Sequence, residues 1–140
     1  MNIKLECYAS KTKGRVGYVI EKQGVVLKKN VSSRHIEDLK KGILDAIFLG
    51  LCAVRSEVSH DDVLTVVVQN IQTATVLRTR EEGSLKNYVE SLDEVYDVIE
   101  SLDCRYKVVY LEKYTAMYEV LNGEVEKMKL EGIDSLLEME

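Results

Sequence analysis

The sequence predicts an α/β domain whose five-stranded mixed sheet, a three-stranded antiparallel meander plus two parallel strands, carries helices on both faces. Two features of the chain predict it. The first third alternates apolar and polar residues in three short runs with glycine-containing turns between them, as in an antiparallel meander. The remainder alternates helix-period segments with short apolar runs, as in parallel strands joined by helices. With 140 residues the chain is long enough for one hydrophobic core, so we expect a single domain over 1–140.

The meander is predicted over 3–9, 15–21 and 25–31, with Gly14 and Gly24 in the two connecting turns. Branched and aromatic residues recur in these runs, and such residues favour strands. In the first run, apolar and polar side chains alternate strictly enough that one face of the strand should lie on the core.

A long amphipathic helix is predicted next. Ser32 or Ser33 would cap its N-terminus, with Glu37 and Asp38 in the first turn, where acidic side chains complement the helix dipole. Apolar residues then recur every three or four positions as far as Val54. We therefore expect about five helical turns packed against the sheet.

The second half of the chain predicts two more strands with their helices. The run 63–68 is apolar on both faces, as in a central strand buried by helices on both sides. A short helix is predicted over 71–79, and a longer one begins at a Ser84 cap and continues to Leu102. The alternating segment 105–111 is the fifth strand, and a C-terminal helix should follow it.

The composition limits the classes of function. Acidic residues outnumber basic ones by 24 to 19, which gives a net charge of −5 and a sequence pI near 5.2. This balance opposes non-specific attraction to phosphate backbones, so nucleic-acid binding would need a local basic patch. No apolar run approaches the roughly 18 residues that span a bilayer, and the N-terminus lacks an apolar signal segment. We expect a soluble cytoplasmic protein with no membrane partner.

The three cysteines indicate a reducing compartment. Cys7, Cys52 and Cys104 stand far apart and lack C-x-x-C spacing. An odd, unclustered set argues against a disulfide framework. Free cysteine is among the most buried residue types, so we expect three buried thiols. No cofactor is predicted.

The order of elements and three local motifs resemble the ribonuclease H-like superfamily. Tyr8-Ala9-Ser10, the turn through Gly14 and Gly17-Tyr18-Val19-Ile20 occupy the frame of that family's first hairpin. The segment 35–43 is similar to the opening of its first helix, and 68–72 stands where its fourth strand ends. The resemblance covers nearly the whole chain and implies the same five-stranded fold.

The resemblance also implies where an active site would lie. Ribonuclease H-type catalysis is a two-metal reaction in which carboxylates hold the divalent ions. By this resemblance, Tyr8, His35 and Asn70 stand in the places of three carboxylates, and 113–118, the expected place of the fourth, contains no acid. A phenol is neutral near pH 7, an imidazole suits zinc better than magnesium, and an amide carries no charge. A catalytically inactive member with no bound metal is therefore implied.

Nearby acids leave one alternative open. Glu37 lies two residues after His35, which turns it by about 200° to the other side of a helix. Glu6 shares a strand face with Tyr8 but lies two residues earlier, and Glu112 stands near the end of the fifth strand. The alternative is a metal-dependent nuclease whose ligands are rearranged onto Glu6, Glu112 and His35.

The cluster of Tyr8, His35 and Asn70 has two interpretations. It could be a polar pocket at a former active site that binds a nucleotide, an RNA segment or a protein loop. It could instead be a set of mutually hydrogen-bonded side chains that fills the space of absent metals.

Two further groups are candidate contact surfaces. Lys11, Lys13 and Arg15 could form a basic patch that contacts phosphates; alternatively, lysines on outer strands hinder edge-to-edge aggregation. Four tyrosines could form a protein interface, where tyrosine is enriched, or belong to the core. These four are Tyr106, Tyr110, Tyr114 and Tyr118.

These observations favour binding over catalysis. We expect an inactive ribonuclease H-like domain that acts as an adaptor or inhibitor module for a protein partner or for a second copy of itself. Nucleic acid is the less favoured partner because of the acidic balance. The alternatives are the rearranged nuclease and a non-cleaving binder of RNA-containing duplexes.

Overall fold

The computed structural model describes residues 1–81 and 83–110, and one five-stranded sheet organises them. The strands are β1 (Asn2–Ser10), β2 (Arg15–Lys22), β3 (Val25–Ser33), β4 (Val63–Val68) and β5 (Arg105–Tyr110). Their order in the sheet is β3-β2-β1-β4-β5, with antiparallel β1–β2 and β2–β3 pairs and parallel β1–β4 and β4–β5 pairs. This arrangement confirms the predicted meander plus two parallel strands.

Three α-helices and two short 3₁₀ segments complete the described part of the chain. The helices are α1 (Leu39–Val54), α2 (Ile71–Thr79) and α3 (Val89–Ser101), and the 3₁₀ segments are Arg55–Glu57 and Gly83–Tyr88. α1 packs against β1 and β2, and α3 packs against α1. Among the residues so described, no helix is long and apolar enough to cross a membrane.

The apolar core lies between α1 and one face of the sheet. Ile3, Leu5 and Cys7 alternate along β1 on this face and are at most 2% exposed. The parallel register sets Leu64 opposite Ile3 and Val66 opposite Leu5, so β4 continues the same apolar surface. The predicted C-terminal helix lies outside the described residues.

Gly50 lets α1 approach β1 closely. A Cβ atom at this position would lie 2.9 Å from Cδ1 of Leu5 and 3.2 Å from Sγ of Cys7. The first distance is shorter than real Cβ contacts, so a side chain here would force the helix or the core residues to move. A glycine inside a helix costs about 1 kcal/mol relative to alanine, and the close packing offsets that cost.

The predicted start of α1 is wrong. We expected Ser32 or Ser33 to cap the helix, but both belong to β3, and the helix begins at Leu39 with Asp38 as its N-cap. β2 begins at Arg15 and offers a pairing partner for each of the last residues of β3. The ladder therefore extends through the two serines, and the chain turns into the helix only after it ends.

The long helix predicted from Ser84 to Leu102 is also wrong, because the structure divides it into a 3₁₀ segment and α3, which begins at Val89. Leu85 has non-helical backbone angles, with φ −106° and ψ 19°. Its side chain is fully buried, and Tyr88 donates a hydrogen bond to the cap of α1. These tertiary contacts hold a turn where the apolar spacing alone indicates continuous helix.

All three cysteines are free thiols, as expected. Cys7 lies in the core, and burial raises the pKa of its thiol, which keeps it protonated at neutral pH. Cys7 therefore behaves as a small apolar residue. Cys52 and Cys104 are half-buried rather than buried.

Gly50→Ala is expected to destabilise the protein by about 1–3 kcal/mol, because the added methyl group overpacks the contact with Leu5 and Cys7. The gain in helix propensity, about 1 kcal/mol, offsets only part of this loss. Urea unfolding measures the difference. Gly42→Ala is the matched control: it gains the same propensity, and its new Cβ meets only side-chain atoms of Ile36, the nearest at 3.0 Å, and none of β1. Equal effects of the two substitutions would contradict a special closeness of α1 to β1.

Candidate functional site

The parallel pair of β1 and β4 brings a glutamine to the end of the sheet. Glu6 stands opposite Val67, so continuing the register by two residues puts Gln69 level with Tyr8. Oε1 of Gln69 accepts the N–H of Ala9 at 2.7 Å, and Nε2 of Gln69 donates to the Ala9 carbonyl oxygen at 3.1 Å. The side-chain amide therefore joins the two strands where β4 has ended.

Asn70 is the N-cap of α2. Its Oδ1 accepts the backbone N–H of Thr73 at 2.9 Å and the Thr73 hydroxyl at 3.0 Å. Asparagine is among the preferred N-cap residues, because its short side chain reaches the free N–H groups of the first turn. The side-chain oxygen of Asn70 thus serves the local structure of α2.

His35 lies on the surface before α1. Its side chain is 86% exposed, and its Nε2 lies 3.9 Å from Oε2 of the equally exposed Glu37. The sequence places His35 in the helix, but α1 begins only at Leu39, so helical spacing does not direct this side chain. The described contacts of His35 and Asn70 do not join them to each other, and a pocket shared with Tyr8 stays a prediction.

A cleft of about 480 Å³ opens beside His35 at the start of α1. Asp38, Lys41, Asp45 and Tyr88 contribute polar groups to its wall. Nζ of Lys41 lies 2.6 Å from Oδ1 of Asp45, so these two charges neutralise each other along α1. The wall of the cleft therefore combines this ion pair with the apolar side chain of Ile36.

The Asp38 carboxylate ties this cleft to the segment before α3. Its Oδ2 accepts the hydroxyl of Tyr88, and its Oδ1 accepts the N–H of Lys40. The hydrogen bond from Tyr88 is the main cause that holds the pKa of Asp38 below its usual range, and it raises the pKa of the Tyr88 hydroxyl. Asp38 is therefore the N-cap of α1 and not a first-turn residue as the sequence predicts, although aspartate is a preferred N-cap by residue type.

Tyr8 and Glu6 are buried on the sheet face opposite the α1 core, each with 1% exposure. Nζ of Lys4 lies 2.9 Å from Oε2 of Glu6 and 3.2 Å from Oε1 of Glu21. The hydrogen bond with Glu6 is the main cause that raises the pKa of Lys4. Glu6 thus takes part in an ion pair within the sheet, whereas Glu112, the other acid proposed as a metal ligand, lies outside the described residues.

Metal-ligating side chains are scattered in this part of the molecule. Within residues 1–81 and 83–110, no group of three or more His, Cys, Asp or Glu side chains is placed so that it could hold a metal ion.

The basic residues of the first hairpin reach the surface only in part. Lys11 is exposed and Lys13 is half-buried, but Arg15 is only 7% exposed at the start of β2.

The charge of the chain is distributed unevenly along its length. Basic residues exceed acidic ones by eight to two over 1–34. The segment 111–140 holds eight acids and three basic residues, whereas the rest of the chain holds 16 of each sign. The net charge of −5 therefore belongs to that segment, and the meander is basic.

Tyr106 and Tyr110 are half-buried and pack against the core. Nη2 of Arg80, at the C-terminal end of α2, donates to the Tyr106 hydroxyl at 3.4 Å. Tyr106 is therefore engaged within the fold. Tyr114 and Tyr118 lie outside the described residues, and an interface formed by the four tyrosines stays a prediction.

Solved structures share this fold. The chain is 12% identical to LC11-RNase H1, isolated from compost by a metagenomic approach, over 91% of this chain and 97% of that one, with a TM-score of 0.68. It is 10% identical to RNase H1 from Halobacterium salinarum, over 81% and 87% of the two chains, with a TM-score of 0.67. A structure of LC11-RNase H1 in complex with an RNA/DNA hybrid matches over 97% and 98% at 14% identity, with a TM-score of 0.63.

No family model and no curated protein matches the sequence itself. The structural matches therefore show the fold and not the activity. The chain has the ribonuclease H-like fold, as its sequence motifs imply.

Gln69→Ala is expected to lower the free energy of unfolding by about 1–3 kcal/mol, because it removes both hydrogen bonds to Ala9 and leaves partly buried backbone groups unsatisfied. Gln69→Glu should be destabilising at pH 7 as well, since a carboxylate cannot donate to the Ala9 carbonyl. Urea unfolding measures both, with Gln72→Ala on the exposed side of α2 as the control. A Gln69→Ala protein as stable as the control would show that the amide bridge contributes nothing.

Tyr88→Phe is expected to raise the pKa of Asp38 toward its ordinary value, about 3.9. Because the pKa is depressed in the folded protein, the ionised Asp38 stabilises the fold fully above that ordinary value, and the benefit is lost as the pH falls through the folded-state pKa. The stability difference between wild type and Tyr88→Phe should therefore be largest near pH 7 and narrow in acid.

Unfolding curves between pH 7 and pH 3, together with NMR titration of the Asp38 carboxyl group, measure this effect. Tyr96→Phe is the matched control, because the Tyr96 hydroxyl donates to the carbonyl oxygen of Val76, which does not titrate. A stability loss from Tyr88→Phe that stays constant with pH would contradict the assigned role of the Asp38 carboxylate.

Proposed function

We propose that residues 1–140 form a single ribonuclease H-like domain that does not cleave nucleic acid and acts as a binding module for a protein. The observation that carries this proposal is that polar side chains at the end of β1 and β4 make structural hydrogen bonds. There the Gln69 amide holds the backbone of Ala9, and Asn70 caps α2. Side chains at this end serve the fold.

Two-metal hydrolysis requires a different set of side chains at the ends of these strands. Two divalent ions would need several anionic oxygen ligands at the strand ends, because hard cations prefer carboxylates. The phenol of Tyr8 and the amides of Gln69 and Asn70 are uncharged at neutral pH. The oxygens of both amides already accept backbone hydrogen bonds. These contacts support a structural use of the amides of Gln69 and Asn70. Mutual hydrogen bonding of Tyr8, His35 and Asn70 stays a prediction.

A second candidate function is binding of an RNA-containing duplex without cleavage. Two observations favour it: the excess of basic residues over 1–34, and the likeness to an RNase H1 solved in complex with an RNA/DNA hybrid. The burial of Arg15 weighs against a broad phosphate-binding patch on the first hairpin. A protein partner therefore remains the leading proposal.

The full chain is expected to leave an end-labelled RNA–DNA hybrid intact in the presence of Mg²⁺ or Mn²⁺. Gel electrophoresis of the labelled strand reads the result. Cleavage that disappears in Glu6→Gln or Glu112→Gln would instead establish the nuclease with rearranged ligands, because those acids are its proposed metal ligands. His35→Ala is assayed in the same way, because His35 is the third ligand proposed for that nuclease.

The same labelled hybrid, in buffer with a chelator, separates the two binding proposals. Duplex binding predicts an affinity that falls steeply between about 50 and about 200 mM salt, because phosphate contacts release counterions. It also predicts weaker binding by Lys11→Glu. An affinity that is absent or insensitive to salt removes nucleic acid as the partner.

A further inference from the structure

We propose that the segment 111–140 packs on the sheet face opposite α1 and closes the strand end at Tyr8 to nucleic acid. It rests on the proposed binding function and names the part of this chain that keeps a duplex away from this end of the sheet. The basis is a row of side chains that is buried although the described helices lie elsewhere.

The buried row crosses the sheet on the face opposite α1. The strand pairings set Glu6 of β1 beside Val19 of β2 and Val67 of β4. Glu6 and Val19 are each 1% exposed, Val67 is 3% exposed, and Tyr8, two residues further along β1, is 1% exposed. Tyr8, Val19 and Val67 are nevertheless outside the apolar cluster under α1. These four side chains therefore belong to a second buried layer.

The described helices leave this row uncovered. α1 packs on the other face of β1 and β2, and α3 packs on α1. α2 packs beside β5, and its buried Ala74 and Leu77 belong to the α1 cluster. The loops that join the described elements have at most five residues. A sheet face is buried only by a second layer, and apart from position 82 the part of the chain that remains to supply it is 111–140.

The segment starts at the right end of the sheet and is long enough. β5 ends at Tyr110, which stands opposite Val68 in the parallel ladder with β4, so the chain leaves the sheet at the end where Tyr8 stands. Three strand spacings, about 14 Å in all, separate β5 from β2. The 30 residues of the segment extend for about 45 Å even at the rise of a helix, so they can cross the whole row.

The sequence of the segment suits a layer with one apolar and one polar side. Apolar residues recur every three or four positions and acids stand between them, as in a chain that lies on an apolar surface. The apolar residues of this repeat are Tyr114, Met117, Tyr118, Leu121, Val125 and Met128.

A cover of this composition explains why a duplex is excluded. By the resemblance, Tyr8 stands in the place of a metal-binding carboxylate, and its burial puts it out of reach of a substrate. The segment also carries eight acids and three basic residues. Its negative charge beside the strand end repels the phosphates of a duplex.

The test is photo-cross-linking of the full chain with p-benzoylphenylalanine in place of Tyr8, followed by mass spectrometry of the tryptic peptides. We expect cross-links within one chain from position 8 to peptides of 111–140. The matched control carries the same residue in place of Tyr18, on the α1 face of β2, and should not cross-link to 111–140. Val109, half-buried beside Val67, is a second position on the row should the change at position 8 prevent folding.

Substitutions in the segment test the role of its apolar repeat. Leu121→Asp/Val125→Asp places two charges in the repeat and should reduce the cross-link from position 8 at least tenfold. Thr115→Asp/Asn122→Asp adds the same charge outside the repeat and should leave the cross-link unchanged.

Other outcomes overturn the proposal. They are cross-links from the row only to 1–110, cross-links between two chains, which would assign the face to a second copy, and equal losses in the two double variants. The hybrid-cleavage assay on the same preparation keeps the two proposals separate. Glu6-dependent cleavage overturns the binding-module function, whereas no cleavage together with no cross-link to 111–140 overturns only the assignment of the segment.

Discussion

The parallel pairing of β1 with β4 is the constraint on which the rest of this structure depends. It joins the N-terminal meander to the second half of the chain and continues one apolar surface from Leu5 to Val66. α1 can cover that surface because Gly50 admits Leu5 and Cys7 at a distance that no side chain would allow. The same register carries Gln69 to Ala9, so the packing of the core and the chemistry at the end of the sheet follow from one alignment of two strands.

Most of the sheet could be predicted from the sequence because its signals are local. Alternation with a period of two and turns at Gly14 and Gly24 define the meander, and an apolar run defines β4. The helix starts depend on distant partners. Ser32 is as good an N-cap as Asp38 by residue type, and pairing with β2 decides between them. The break before α3 likewise depends on Tyr88 reaching Asp38, fifty positions earlier in the chain.

At the candidate site, the sequence likewise did not identify the residue that bridges β4 to β1. Motif resemblance pointed to Asn70 at the end of β4, whereas the residue that bridges to β1 is Gln69. A shift of one position exchanges the two faces of a strand, so identifying this residue requires the register and not only the motif. Glu6 and Val67 supply that register, but their pairing is a long-range property of the fold.

The amide bridge of Gln69 has a consequence for how this sequence can change. A carboxylate at residue 69 would keep an acceptor for the Ala9 N–H but would face the Ala9 carbonyl with a second acceptor. A substitution toward a charged site would therefore weaken the joint between β1 and β4 before any cation was present to compensate. Mutational paths that lead toward metal chemistry at this end of the sheet begin with a loss of stability, and paths that keep the neutral amide do not. The bridge thus favours retention of a neutral side chain at position 69 as the sequence changes.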